Sequence, residues 1–120
     1  VPLLQNDLNN KKDGSLFFNQ NKVGLGGSLY YNGQINNNQW YRIVFVVEAP
    51  NKASLYVDGT LVSSCEHNNA YNLHWKLTTG ALFFADNDGE EKAIETAEIR
   101  FWDKALTLAQ VKKLGAAGTE

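Results

Sequence analysis

The residues able to do chemistry are few, and the densest group is the run Asp86-Asn87-Asp88-Gly89-Glu90-Glu91. Hard divalent cations such as calcium take about six to eight oxygen ligands, mostly carboxylates and carbonyls. Asp86, Asp88 and Glu90, helped by Asn87 and by backbone carbonyls, offer that donor type. The full calcium-loop pattern, with acidic residues at three alternating positions, a glycine and a distant glutamate, is not met. Asp88-Gly89 is also a sufficient turn dipeptide between two strands. The expectation is therefore a turn first, with structural calcium at Asp86, Asp88 and Glu90 as the alternative.

Catalytic patterns are weaker still. A retaining glycosidase needs two carboxylates about 5–5.5 Å apart, which alternate residues of one strand supply. Glu95 and Glu98 are three positions apart, so on a strand they point to opposite faces. Glu90 and Glu91 fall in a loop, where solvated charge is the simpler account. His67 and His74 lack the Ser/Asp or Cys/Asp surroundings of a nucleophilic triad. The glycines of residues 23–28 lack the Lys-Ser/Thr ending of a phosphate loop and read as a bend. Cys65 is the single cysteine, which excludes an internal disulfide and a cysteine-based zinc cluster. It reads as a small packing residue. No enzymatic activity is expected.

Aromatic rings beside amide-rich loops suggest recognition. A sugar face stacks on a flat ring while neighbouring amides take its hydroxyls. Tyr30, Tyr31, Tyr71 and Trp75, close in sequence to asparagine-rich stretches, are the candidates for carbohydrate binding. Trp40 is assigned to the core and Trp102 to the underside of a C-terminal helix.

The elements that must position these residues are mostly strands. The 120 residues suffice for one domain, 1–120, and an apolar content of 43% with 20% charged residues is that of a folded protein. A net charge of −2 gives no electrostatic footprint for nucleic acid or an anionic membrane. No apolar run approaches the roughly 20 residues that span a bilayer as a helix. Period-two patterning marks strands at 14–20, 27–34, 40–48, 81–86 and 93–103, and a hairpin over 53–64 turns at Asp58-Gly59. The hairpin register places Tyr56 opposite Leu61 and Leu55 opposite Val62. Residues 40–48 are apolar on both faces, which reads as a central strand. Helical spacing enters only at 106–115, with Thr107 as N-cap, Gln110 as its capping-box partner, Leu106 and Val111 as a staple and Gly115 as the stop. Residues after 115 read as a frayed tail. Many short strands without βαβ alternation predict an all-β antiparallel sandwich, a jelly roll, with one short C-terminal helix.

Two stretches carry a family resemblance. The run 36–62, "NNNQWYRIVFVVEAPNKASLYVDGTLV", opens a long strand with tryptophan and follows it with a Tyr-x-Asp-Gly hairpin. The run 82–115 has a strand, an acidic loop, a strand ending near Trp102-Asp103, an Ala-Leu step and a capped helix. Both resemble the concanavalin A-like, laminin-G-like jelly rolls, most closely the versions appended to secreted bacterial hydrolases and phosphoesterases. The resemblance implies a non-catalytic carbohydrate-binding or recognition module, extracellular or at the cell surface, accessory to a larger enzyme. A structural or protein-interaction module without a small ligand is the alternative, and a glycosidase the third. Laminin-G-like domains are usually longer than 120 residues, so the resemblance further implies that the first strands of the domain lie outside this chain. An exposed sheet edge would follow, and with it self-association.

Overall fold

Alternating apolar side chains in short runs produce two antiparallel sheets in the computed structural model, which describes residues 2–5, 16–25, 29–30, 33–48, 52–66, 80–84 and 93–118. The first sheet contains β1 (Pro2–Gln5), β2 (Leu16–Asn19), β3 (Lys22–Leu25), β4 (Leu29–Tyr30) and β8 (Leu82–Phe83), in the order β4-β3-β2-β1-β8. The second contains β5 (Ile43–Glu48), β6 (Lys52–Val57) and β7 (Thr60–Glu66), in the order β5-β6-β7. A single described helix, α1 (Leu108–Leu114), follows. The all-β sandwich with one short helix is thus the observed architecture.

The main core lies between the sheets. Leu3, Leu16 and Val23 from the first sheet meet Ala53, Leu55 and Val57 from the second, and Ile35 enters from a loop. A second apolar layer lies on the opposite face of β5 and β6. There Val44, Val46 and Tyr56 pack with Val111 of α1, flanked by Leu106 and Leu114. The helix therefore covers the outside of the smaller sheet.

This layering corrects the expected position of residues 43–48. Among the described residues β5 pairs with β6 alone and stands at the edge of this three-stranded sheet, with β6 in its centre. Apolar residues occupy both of its faces because the first sheet covers one and α1 the other. Face coverage and position in the hydrogen-bonded ladder are independent, and the sequence pattern reports only the former.

The hairpin turn forms as expected. Asp58 and Gly59 have φ of 50° and 82°, the two positive values of a type I′ turn. Tyr56 faces Leu61, but Leu55 pairs with Ser63, because the register shifts between Leu55 and Tyr56. Val62 is the extra residue, and the bulge leaves it half-buried against the inter-sheet core. Gln20 and Asn21, with φ of 50° and 60°, form a second tight turn that joins β2 to β3. Part of the glycine-containing stretch read as a bend is therefore strand: Gly24 pairs with Phe17 and Tyr30.

The helix boundaries match the reading closely. Thr107 Oγ1 accepts from the Gln110 amide at 3.2 Å and Gln110 Oε1 accepts from the Thr107 amide at 2.8 Å, closing the capping box. Leu106 and Val111 belong to the same apolar cluster, as a staple requires. Gly115, at φ 68°, ends the helix, its amide donating to the Lys112 carbonyl at 3.1 Å. Thr107→Ala removes one half of the box and is expected to cost about 1 kcal/mol in urea denaturation. An unchanged midpoint would show that the cap contributes nothing.

Three further expectations fail. Trp40 is 55% exposed and Trp102 is 45% exposed, so neither lies in the core. Residues 93–103 carry no strand pairing among the described residues, and their side chains are exposed throughout. The residues just beyond α1 are not frayed, since Ala117 is tied back to the hairpin.

Candidate recognition surface

The loop of residues 33–42 is held at both ends. Ile35 is buried in the inter-sheet core, and its amide donates to the Asn21 carbonyl at 2.7 Å. Tyr41 packs against the same core, and its hydroxyl accepts from the Asn36 amide at 3.0 Å. Asn38 takes φ 59°, a left-handed conformation that asparagine tolerates well, and turns the chain between the two anchors. Asn36, Asn37, Asn38, Gln39 and Trp40 are consequently exposed in one short run. With Tyr41 directed inward, Trp40 extends outward beside four carboxamides.

A different cluster stabilises the scaffold under this surface. Asp58 Oδ1 accepts from the backbone amides of Arg42 at 2.9 Å and Ala117 at 3.1 Å. The Asp58 amide donates in turn to the Arg42 carbonyl at 2.8 Å. Arg42 donates through Nη1 to the Leu114 carbonyl, placing a cation at the C-terminal end of α1 where the helix dipole favours it. Gly59 packs against Gly115, where an added Cβ would stand 3.4 Å from the Gly115 Cα in ordinary contact, and it is the φ of +82° that disfavours a side chain there. The Tyr-x-Asp-Gly hairpin therefore joins the start of β5 to the segment beyond α1. Its carboxylate is used structurally.

The residues singled out in the sequence fall mostly elsewhere. Tyr31, Tyr71, Trp75, Asp86, Asp88 and Glu90 lie outside the described residues, as do His67 and His74. Tyr30 is in β4, its backbone paired with Gly24. Glu95 and Glu98 are exposed in the segment 93–103, and Glu98 forms an ion pair with Arg100. Cys65 is half-buried, and burial pushes its thiol up, against a smaller opposing pull from a hydrogen bond with the Ala53 backbone. A thiol so placed is a poor nucleophile, consistent with packing. Among the described residues, no three His, Cys, Asp or Glu side chains come together as a metal would require. No described helix is long and apolar enough to cross a membrane.

Trp40 is the surface residue that sequence reasoning missed. Its signal was present in the four consecutive polar residues before it, which place it in the loop rather than in the strand that begins at Ile43.

Comparison with known proteins agrees with this architecture. No curated protein sequence matches the chain. Among solved structures, an S-layer domain-containing protein from Clostridium thermocellum (residues 221–444) superposes with a TM-score of 0.51 at 16% identity. The match covers 78% of this chain and 50% of that one, so the chain spans about half the length of the structure it resembles. At that identity the likeness concerns the fold. A family profile, Laminin_G_3, described as concanavalin A-like lectin/glucanases superfamily, matches residues 6–112. With two antiparallel sheets, a capped closing helix and a profile match over most of its length, the chain belongs to the concanavalin A-like lectin/glucanases superfamily, in its Laminin_G_3 family.

Proposed function

We propose that the chain is a non-catalytic carbohydrate-recognition module whose contact surface is Trp40 with the carboxamides of Asn36, Asn37, Asn38 and Gln39. The observation that carries the reading is the exposed indole on an anchored, amide-rich loop. Its six-membered and five-membered rings offer the flat apolar face against which the C–H face of a sugar stacks. Each carboxamide supplies both donors and an acceptor, which suits the mixed hydrogen bonding of sugar hydroxyls. Anchoring by Ile35 and Tyr41 limits the ordering cost on binding. Membership of a superfamily that includes lectins supports the same ligand class. The fold likeness to an S-layer domain-containing protein supports a cell-surface or extracellular setting, with the module accessory to a larger secreted enzyme.

The test is a glycan array with the wild-type chain and Trp40→Ala, each in calcium and in a chelator. Wild type is expected to retain at least one glycan class, and Trp40→Ala to lose binding by about tenfold or more, the scale set by removing a stacking or hot-spot aromatic. Because Trp40 is exposed, its removal should change stability by no more than about 0.5 kcal/mol. Binding that disappears in chelator would show that a divalent cation is needed, and Asp86→Ala, Asp88→Ala and Glu90→Ala would then test whether these residues hold it. Absence of any glycan signal in both conditions sinks the carbohydrate reading and leaves a structural or protein-interaction module.

A further inference from the structure

The recognition loop belongs to a long uncharged stretch. Residues 23–41 contain no Asp, Glu, Lys, Arg or His, in a chain with 20% charged residues. The bounding charges are Lys22, in β3 opposite Asn19, and Arg42, whose guanidinium donates to the Leu114 carbonyl. What the loop turns outward is carboxamide and indole, with Gln34, Asn36, Asn37, Asn38, Gln39 and Trp40 all exposed. At 55% exposure Trp40 is an open platform, since the wall of an enclosing pocket would be largely shielded from water.

Neutrality and openness together narrow the ligand. We infer that the loop takes the interior units of a neutral polysaccharide, an inference that rests on the carbohydrate reading above and names the class of sugar chain. Carboxamides pair with hydroxyls in both directions, because each carries donors and an acceptor. They cannot neutralise a uronate or a sulfate, which would lose water against the loop without gaining a counter-charge. The net charge of −2 on the whole chain adds repulsion for a polyanion.

Openness decides which part of the sugar chain is read. Selecting a chain end requires walls that close around the terminal unit and exclude anything longer. An open indole lets the polymer run past on either side, so that every interior unit is an equivalent site. The backbone holds this platform still: Ile35 and Tyr41 fix the two ends of the loop in the core, and Asn38 at φ 59° turns the chain between them. One ring gains little from one sugar unit, and a long chain compensates by offering many.

Biolayer interferometry on the immobilised chain tests this with a soluble β-glucan, a mannan and a galactan, each also supplied as its C6-oxidised polyuronate. Wild type is expected to bind at least one neutral polymer, with the oxidised form of that polymer bound at least about tenfold more weakly. A trisaccharide cut from the same polymer has a single interior unit, so as a competitor it should be at least about tenfold weaker per mole than the long chain. Trp40→Ala should lose binding, whereas Trp40→Tyr, which keeps a flat ring, should keep most of it, and this separates loss of the ring from loss of the fold. Equal or tighter binding of an oxidised polymer, a trisaccharide as potent as the chain, or binding that survives Trp40→Ala overturns the inference. Failure of all the neutral polymers overturns it too: if glycans are still bound on the array, the carbohydrate reading stands without it, and if none is bound, both fall.

Discussion

Asp58→Ala is expected to lower the unfolding free energy by about 2–3 kcal/mol, the effect of removing a charged acceptor shared by two backbone amides. Oδ1 is the partner of the Arg42 and Ala117 amides, and the substitution removes the acceptor from both. The replacement also places alanine at a φ of 50°, where aspartate is better tolerated. The two costs act on one junction, joining the β6–β7 hairpin, the residue before β5 and the chain beyond α1. Asp58→Asn retains an Oδ1 acceptor and the tolerance of positive φ, and should lose only about 1 kcal/mol because a neutral acceptor is weaker. Urea denaturation of both variants measures the difference. A loss below about 0.5 kcal/mol for Asp58→Ala, the range of an ordinary surface substitution, would refute the clamp. Hydrogen exchange adds the direction: amides of α1 should exchange faster in Asp58→Ala while those of β2 and β3 change less, since the clamp holds the helix side of the sandwich.

The clamp also separates what local sequence encodes from what it does not. Asp58-Gly59 announced its turn because positive φ is a property of the residues themselves, and Thr107 with Gln110 announced the cap because the box closes within four residues. Nothing local indicates that the Asp58 carboxylate bonds an amide 59 positions away. The bulge at Val62 is unreadable for a related reason. Tyr56 opposite Leu61 follows from the turn, but the slip one pair later depends on which side chains the opposite sheet leaves room for. Trp40 and Trp102 failed for another: apolarity predicts burial only when a neighbouring layer is available, and among the described residues no strand pairs with either segment. The exposed position of Trp40 was not legible for the same reason, because it depends on Tyr41 packing against the core, which the local run of asparagines does not reveal.

Leu55→Ala is expected to cost more than any other single truncation considered, about 3–4 kcal/mol by comparison with buried leucine deletions. Leu55 is fully buried at the centre of β6, with β5 on one side, β7 on the other and the first sheet across the core. A domain of this size holds about 5–15 kcal/mol in total, so the substitution removes a large share of it. The size of the loss depends on how far the surroundings can close over the missing methyls. Val62 is the neighbour best placed to do so, since the bulge already sets it half-buried against this core and outside the regular ladder. The variant with Val62 enlarged to Ile on the Leu55→Ala background should therefore recover part of the loss, about 1 kcal/mol for one added buried methylene. The same enlargement on the wild-type background meets a filled core and should be neutral or destabilising. Chemical denaturation of the four proteins closes a double-mutant cycle. Purely additive effects would show that Val62 and Leu55 do not share a wall of the core, and that the bulge serves only to twist β7.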